Sequence, residues 1–272
     1  MSEQHLPERV FPLRLAPELS VCSERYVHWL RYLLERLGRE AALAAWQQAM
    51  DHPGDALLDE IVGGDWRADP GAPVDVAARR EAALAAAFGR PVEGVALDEA
   101  RALVEGLPPL PQVRRLADLN VRQEMTTYRS LHLLFHGLAL LVEALLDRHG
   151  KQGELLAYNA LAGWAAANSG GEMGVDEFLA LFKTPFDPAT RMGAGLDYTL
   201  VRATAGEVVL QVQGCAWARY YRQRHPRVGY MLACSMDETN YRAVNPRIRM
   251  QRTITLMEDG PGCDFRIYAL DE

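Results

Sequence analysis

Apolar residues recur at Val27, Leu30, Leu33, Leu34, Leu37 and Ala41, the spacing that gathers them on one face of a helix. Residues 21–50 are therefore expected to be helical, with Ser23 as N-cap and a break at Gly38. The first twenty residues read as an extended arm, and a short helix is expected over 55–62. Residues 63–75 are rich in Gly, Pro and Asp and read as loop. Helices follow at 76–88 and 97–105, and the Pro-dense GLPPLPQ at 106–112 reads as a linker. A long helix is expected over 121–149, with Leu131, Leu134, Phe135, Leu138, Leu141, Val142 and Leu145 on its buried side. Gly150 stops it, a second helix runs over 152–168, SGGEMG turns the chain, and VDEFLALF is a short helix. LLERLGREAALAAW (33–46) echoes LLDRHGKQGELLAY (145–158). Either a helical unit is duplicated or two helical hairpins share a common pattern.

After residue 190 the period drops to two. LDYTLVRAT and EVVLQVQG alternate around Ala-Gly and predict a β-hairpin. CAWARYYRQRH reads as a helix, VGYMLACSMDETNYRAV as a helix or a buried strand, and RIRMQRTITLMED and CDFRIYALDE as strands around Asp-Gly-Pro-Gly. The expected fold class is α+β: a helical N-terminal half, then a C-terminal antiparallel β-sheet in the order β-β-α-α-β-β with helices on one face. Residues 1–110 form a helical N-terminal region and 119–272 a hydrolase-like α+β domain in this reading.

Composition narrows the function classes. The 272 residues carry a net charge of −7 and 49% hydrophobic residues, enough for a packed core. They lack the surplus of Lys and Arg that nucleic-acid binding needs. The Pro-interrupted start has no secretion-signal pattern and the longest uncharged apolar runs fall short of a membrane span. A cytoplasmic protein without a membrane or nucleic-acid partner is expected, acting on a small molecule, its N-terminal helices a candidate homodimer element. Cys22, Cys215, Cys234 and Cys263 are then reduced. No P-loop, GxGxxG opening a helix, or GxSxG elbow is present.

Three constellations carry chemistry. Cys215, Cys234 and Cys263 stand at ends of expected elements, where a scaffold is open yet rigid. Arg219, Arg252 or Arg266 beside one of them would lower its pKa and make a nucleophile, although a free cysteine is also a common buried hydrophobe. Asp237, Glu238 and Asn240 follow Cys234 closely, so Asp237 shares its side of a helix. His132 and His136 lie one turn apart with Glu143 further along the stripe. That pair can share a metal, although no HExxH is present. No cofactor is expected.

The spaced pattern of Cys215, Gly229, Cys234, Asp237, Asn245-Pro246, Arg252-Thr253, Thr255, Gly260 and Cys263-Asp264-Phe265 resembles the L-2-amino-thiazoline-4-carboxylic acid hydrolase family over about residues 128–270. Family members often double the Cys and the Asp where this chain has Cys234-Ser235 and Asp237-Glu238. The resemblance implies a hydrolase acting on C–N bonds other than peptide bonds, opening a small ring at an amidine-like C=N carbon. Cys234 would attack, or Cys263 or Cys215 in its place. Asp237 would hold or protonate the amidine nitrogen, and His132 or His136 would serve as general base. Arg252 would clamp a substrate carboxylate, with Asn240, Thr253 and Asp264 lining the site. Two other readings compete: a non-catalytic small-molecule sensor, and a metalloenzyme using His132 and His136.

Overall fold

The computed structural model describes residues 8–90, 94–168 and 173–270. Part of the expected N-terminal arm and most of the SGGEMG turn lie outside the described residues. The elements run β1 (Val10–Arg14), α1 (Leu15–Leu37), α2 (Arg39–Met50), α3 (Ala56–Val62), β2 (Arg67–Ala68), α4 (Val76–Phe88), α5 (Leu97–Gly106) and α6 (Leu110–Val113). There follow β3 (Val121–Thr126), α7 (Thr127–His149), α8 (Lys151–Asn168), α9 (Val175–Ala180), α10 (Arg191–Gly195), β4 (Leu196–Ala203), β5 (Glu207–Cys215) and α11 (Ala216–Arg224). A π-helical turn (Tyr230–Cys234), α12 (Met236–Val244), β6 (Ile248–Gln251), a 3₁₀ turn (Leu256–Glu258) and β7 (Cys263–Ala269) complete the chain. The helical half and the C-terminal antiparallel sheet are as the pattern predicts.

The chain forms two compact units that interleave in sequence. One comprises Pro12–Glu124 and Arg129–Ala160, and is helical. The other comprises the described residues up to Phe11, Met125–Tyr128 and those from Leu161 onward, and carries the larger sheet.

In the helical unit α1 packs against α2, α4 and α5. Tyr26, Trp29, Leu30, Leu33 and Leu34 on α1 and Trp46 on α2 are fully buried. Two of the buried aromatic residues find hydrogen-bond partners: Trp46 Nε1 donates to Leu103 O at 2.8 Å and Tyr26 Oη to Pro108 O at 2.6 Å. Cys22 belongs to it too, its thiol donating to Leu134 O at 3.7 Å and its pKa pushed up by burial. This cysteine is a packing residue.

Three expectations for this region are corrected. Helix α1 begins at Leu15, and Ser23 is buried within it rather than capping it. The alternation in VRQEMT makes Val121–Thr126 a strand, so α7 starts only at Thr127. The Pro-dense stretch is no linker, because Leu107, Leu110 and Val113 are all buried. Gly137 on α7 explains the tight fit there: a Cβ at this position would stand 2.0 Å from Pro108 O. By length and hydropathy α7 is also long and apolar enough to cross a membrane, and 78% of that window is buried inside the protein.

Both echoed segments turn on a glycine with positive φ, Gly38 at 76° and Gly150 at 54°. Gly38 has ψ 169°, a region that side chains effectively forbid. A Cβ there meets nothing within 4 Å, so the cost of adding one is purely backbone strain. Gly38→Ala is expected to lower unfolding stability by about 1–3 kcal/mol, read as a shift in the denaturant midpoint with unchanged m-value.

The sheet-bearing unit has strand order β4-β5-β7-β6, all neighbours antiparallel. β5 alternates strictly, so Val208, Leu210 and Val212 face one side. Val208 and Leu210, with Ile248 and Ile267, pack against Phe178, Leu179 and Phe182, while Tyr241 and Val244 close the same core. The last predicted strand pair is shortened. β6 ends at Gln251, because the Asp264 carboxylate accepts from Thr253 N at 2.8 Å and Ile254 N at 2.7 Å. A side chain thus takes the donors a strand partner would have taken, and the chain turns into the 3₁₀ segment that carries Thr255 at its head.

Candidate active site

The ends of four neighbouring segments of the sheet-bearing unit present the three thiols. Cys215 closes β5 and caps α11, its sulfur accepting from Ala218 N at 3.5 Å. Cys234 ends the π-helical turn, where Ser235 N bonds Tyr230 O at 2.8 Å. Such a turn inserts one residue into a helical path and re-aims the side chains beyond it. Cys263 opens β7 and accepts from Leu256 N at 3.2 Å.

Thr255 joins two of them. Its Oγ1 accepts from Met257 N at 3.1 Å and from the Cys263 thiol at 3.7 Å, and lies 3.6 Å from Cys234 Sγ. With both acceptor directions used, its own proton remains for Cys234. The result is a directed chain of hydrogen bonds, Cys263 to Thr255 to Cys234, that ends on the Cys234 sulfur. Cys215 belongs to the same neighbourhood. Burial pushes its thiol up to about 12, and negative charge on Cys263 and Cys234 adds to that rise.

Beside the sulfurs stands a charge pair. Arg252 donates from Nη1 to Asp237 Oδ2 at 2.8 Å and from Nη2 to Cys234 O at 2.6 Å. Its guanidinium stacks on the Phe265 ring at 4.9 Å, and its side chain is only 5% exposed. Two of its donors are therefore engaged within the protein. Asp237 keeps 30% of its side chain accessible. Burial nevertheless pushes its carboxyl up to about 6, against the opposing pull of Arg252. Tyr241 lies next to it, and burial together with the Asp237 charge raises the phenol.

The electrostatics correct one expectation. A cation near Cys234 was expected to yield an acidic thiol. Instead burial pushes it up to about 11, outweighing Arg252 and the Thr255 hydrogen bond, while Asp237 and Cys263 push the same way. The resting site holds a neutral thiol beside a carboxyl poised to exchange a proton near neutrality.

The remaining sequence candidates differ in setting. Asn240 is exposed on α12. Thr253 and Asp264 bind each other, Oγ1 to Oδ2 at 2.6 Å. Partial burial raises the Asp264 carboxyl, but the bonds from Thr253 and Ile254 outweigh it and hold the group below its usual range. His132 and His136 belong to the helical unit, where both meet Asp55. Thr255, Tyr241 and Asp55 were not singled out as site residues. Thr255 stood within the quoted Arg-Thr-x-Thr-Leu pattern, whereas the other two carry no local signal.

Among curated proteins and among solved structures nothing matches this chain. A family model does, described as L-2-amino-thiazoline-4-carboxylic acid hydrolase, over residues 131–267. That span is half of the chain and includes all three thiols, Asp237, Arg252 and Thr255. The chain belongs to the L-2-amino-thiazoline-4-carboxylic acid hydrolase family.

Proposed function

We propose that this chain is a hydrolase that opens a thiazoline-type ring at its amidine-like C=N carbon, with Cys234 as nucleophile and Asp237 as the proton-transfer group. The observation that carries the reading is the meeting of Cys234, Thr255 and Cys263 with the buried Arg252–Asp237 pair. A neutral thiol suits this substrate class. The ring nitrogen is itself a base, and its protonation makes the adjacent carbon electrophilic. Asp237 relays the thiol proton to that nitrogen. The sulfur then bonds the carbon as the C=N π pair moves onto nitrogen, giving a tetrahedral adduct. The lone pair of the exocyclic amino group then re-forms a C=N bond as the ring C–S bond breaks onto sulfur, and the proton the amino group gives up passes through Asp237 to the departing ring sulfur, which opens the ring. Water that gives its proton to Asp237 displaces the Cys234 sulfur and restores the thiol. In this reading Arg252 is a positioning residue, holding Asp237 and the Cys234 carbonyl while its charge faces the reacting sulfur.

The raised thiol favours one second reading, in which water attacks directly with Asp237 as base and Cys234 only lines the site. The family substrate separates them. Incubated with L-2-amino-thiazoline-4-carboxylic acid, the protein is expected to yield a product heavier by one water. Cys234→Ala is expected to abolish this, and intact-protein mass spectrometry on rapidly quenched samples to find the adduct on Cys234. Full activity in Cys234→Ala would shift the attack to water. Absence of turnover, with a ligand-dependent rise in melting temperature, would mark a sensor instead.

Thiol labelling gives an independent check. In the ligand-free protein, alkylation of Cys234 by iodoacetamide is expected to keep climbing toward pH 11, instead of levelling near the ordinary thiol pKa of about 8.5. Peptide mapping assigns the label. A plateau near neutrality would mean the thiolate is already formed at rest.

A further inference from the structure

A second cluster, within the helical unit, is not used by the ring opening proposed above. His132 and His136 project one turn apart from α7, both with their side chains at most 6% exposed. Asp55, at the head of α3, reaches between them. Its Oδ1 lies 3.1 Å from His132 Nε2 and its Oδ2 3.7 Å from His136 Nε2. One donor atom from each of the three residues lies within 4.8 Å of the others. Two donors bound at metal–ligand length to a tetrahedral ion are separated by about 3.3 Å, so the observed spacing needs only small adjustment. The imidazoles stand side by side, centroids 4.6 Å apart and planes tilted by 33°.

The carboxylate is oriented from behind. Oδ1 accepts from Leu57 N at 2.8 Å and Leu58 N at 3.2 Å, which caps α3. Its other oxygen, Oδ2, is the one turned toward His136. Backbone anchoring of this kind is how a ligating carboxylate is normally steadied. Exposed His52 stands edge-on to His136 at 5.5 Å. Its Nδ1 is 3.1 Å from Pro53 O, which places the proton there and leaves Nε2 as a candidate fourth donor.

We propose that Asp55, His132 and His136 bind one divalent first-row transition ion, with a coordination position left open toward His52. Two imidazoles and one carboxylate select zinc, cobalt, nickel or iron over magnesium and calcium. The ion would tie the chain ahead of α3 to α7. The third ligand is thus Asp55 rather than Glu143, the acid on the same helix.

Cobalt tests this in the full-length protein, because its spectrum reports the ligand type and the three thiols of the other unit are competing donors. Chelator-stripped protein is expected to take up one equivalent of Co²⁺ with visible d–d bands and without sulfur-to-metal charge transfer. Asp55→Asn keeps an acceptor for the α3 cap and is expected to weaken uptake on the order of 100-fold or more, as is His136→Gln. Zinc should raise the melting temperature of the wild type and leave both variants unmoved. No stoichiometric uptake, uptake through sulfur, or unchanged affinity in both variants would overturn the site. None of these outcomes depends on ring-opening activity.

Discussion

Asp237→Asn is expected to lower kcat/KM for ring opening by about 10²–10⁴-fold, the usual contribution of a positioned proton-transfer group. The physical reason is the carboxyl's place, buried enough to sit at about 6 yet tied to Arg252. At neutral pH it is mostly ionised and can accept a proton, and its conjugate acid is strong enough to return one. Asparagine keeps the shape and removes the exchange. The wild-type rate should therefore fall on the acid side with a midpoint near 6, and that limb should vanish in the variant. Stability gives a second readout. The folded pKa lies above the ordinary 3.8. The contribution of Asp237 to stability is thus present below 3.8 and lost as pH rises through about 6. Across that window the wild type should lose on the order of 2–3 kcal/mol relative to Asp237→Asn, on top of a constant offset from the unpaired Arg252. An unchanged rate in the variant would remove Asp237 from the chemistry.

Arg252→Met has the other large effect. Methionine keeps most of the stem volume beside Phe265 but leaves Asp237 without its cation. Breaking one side of a buried ion pair costs about 3–5 kcal/mol, and the 30% accessibility of Asp237 places this case near the lower end. Because Arg252 pulls the Asp237 carboxyl down and the Cys234 thiol down, both rise in the variant. The acid limb of the rate profile should move above 6, and Cys234 alkylation should slow at every pH below 11. Urea unfolding measures the first effect and the pH–rate profile the second. A destabilised variant with an unmoved profile would make Arg252 purely structural, while a moved profile identifies it as the group that sets the proton affinity of the site.

The two proposed centres differ in how far the sequence pointed to them. Cys215, Cys234, Cys263, Asp237 and Arg252 were all named from spacing and resemblance, because each occupies an element end in a strongly patterned region. Asp55 was not, since a ligand 77 residues before His132 leaves no periodic trace. Thr255 was only one letter of a quoted pattern. Its role depends on Asp264 drawing the chain out of β6, an event between side chain and backbone that alternation does not encode.

Local pattern by itself determined the elements that bury a single face. The 3.6 period marked α1 and α7, and the strict alternation of β5 marked an inward face, since solvent exclusion acts on one side of each. Glycine placement determined the Gly38 and Gly150 breaks, because the required backbone angles are open to little else. Tertiary structure alone decided the rest. It buried the Pro-dense stretch, ran Val121–Thr126 as a strand, and brought Asp55 to the histidines. It also decided the charge state of Cys234. A nearby arginine lowers a thiol and desolvation raises it, and which one wins depends on how much water the assembled fold excludes.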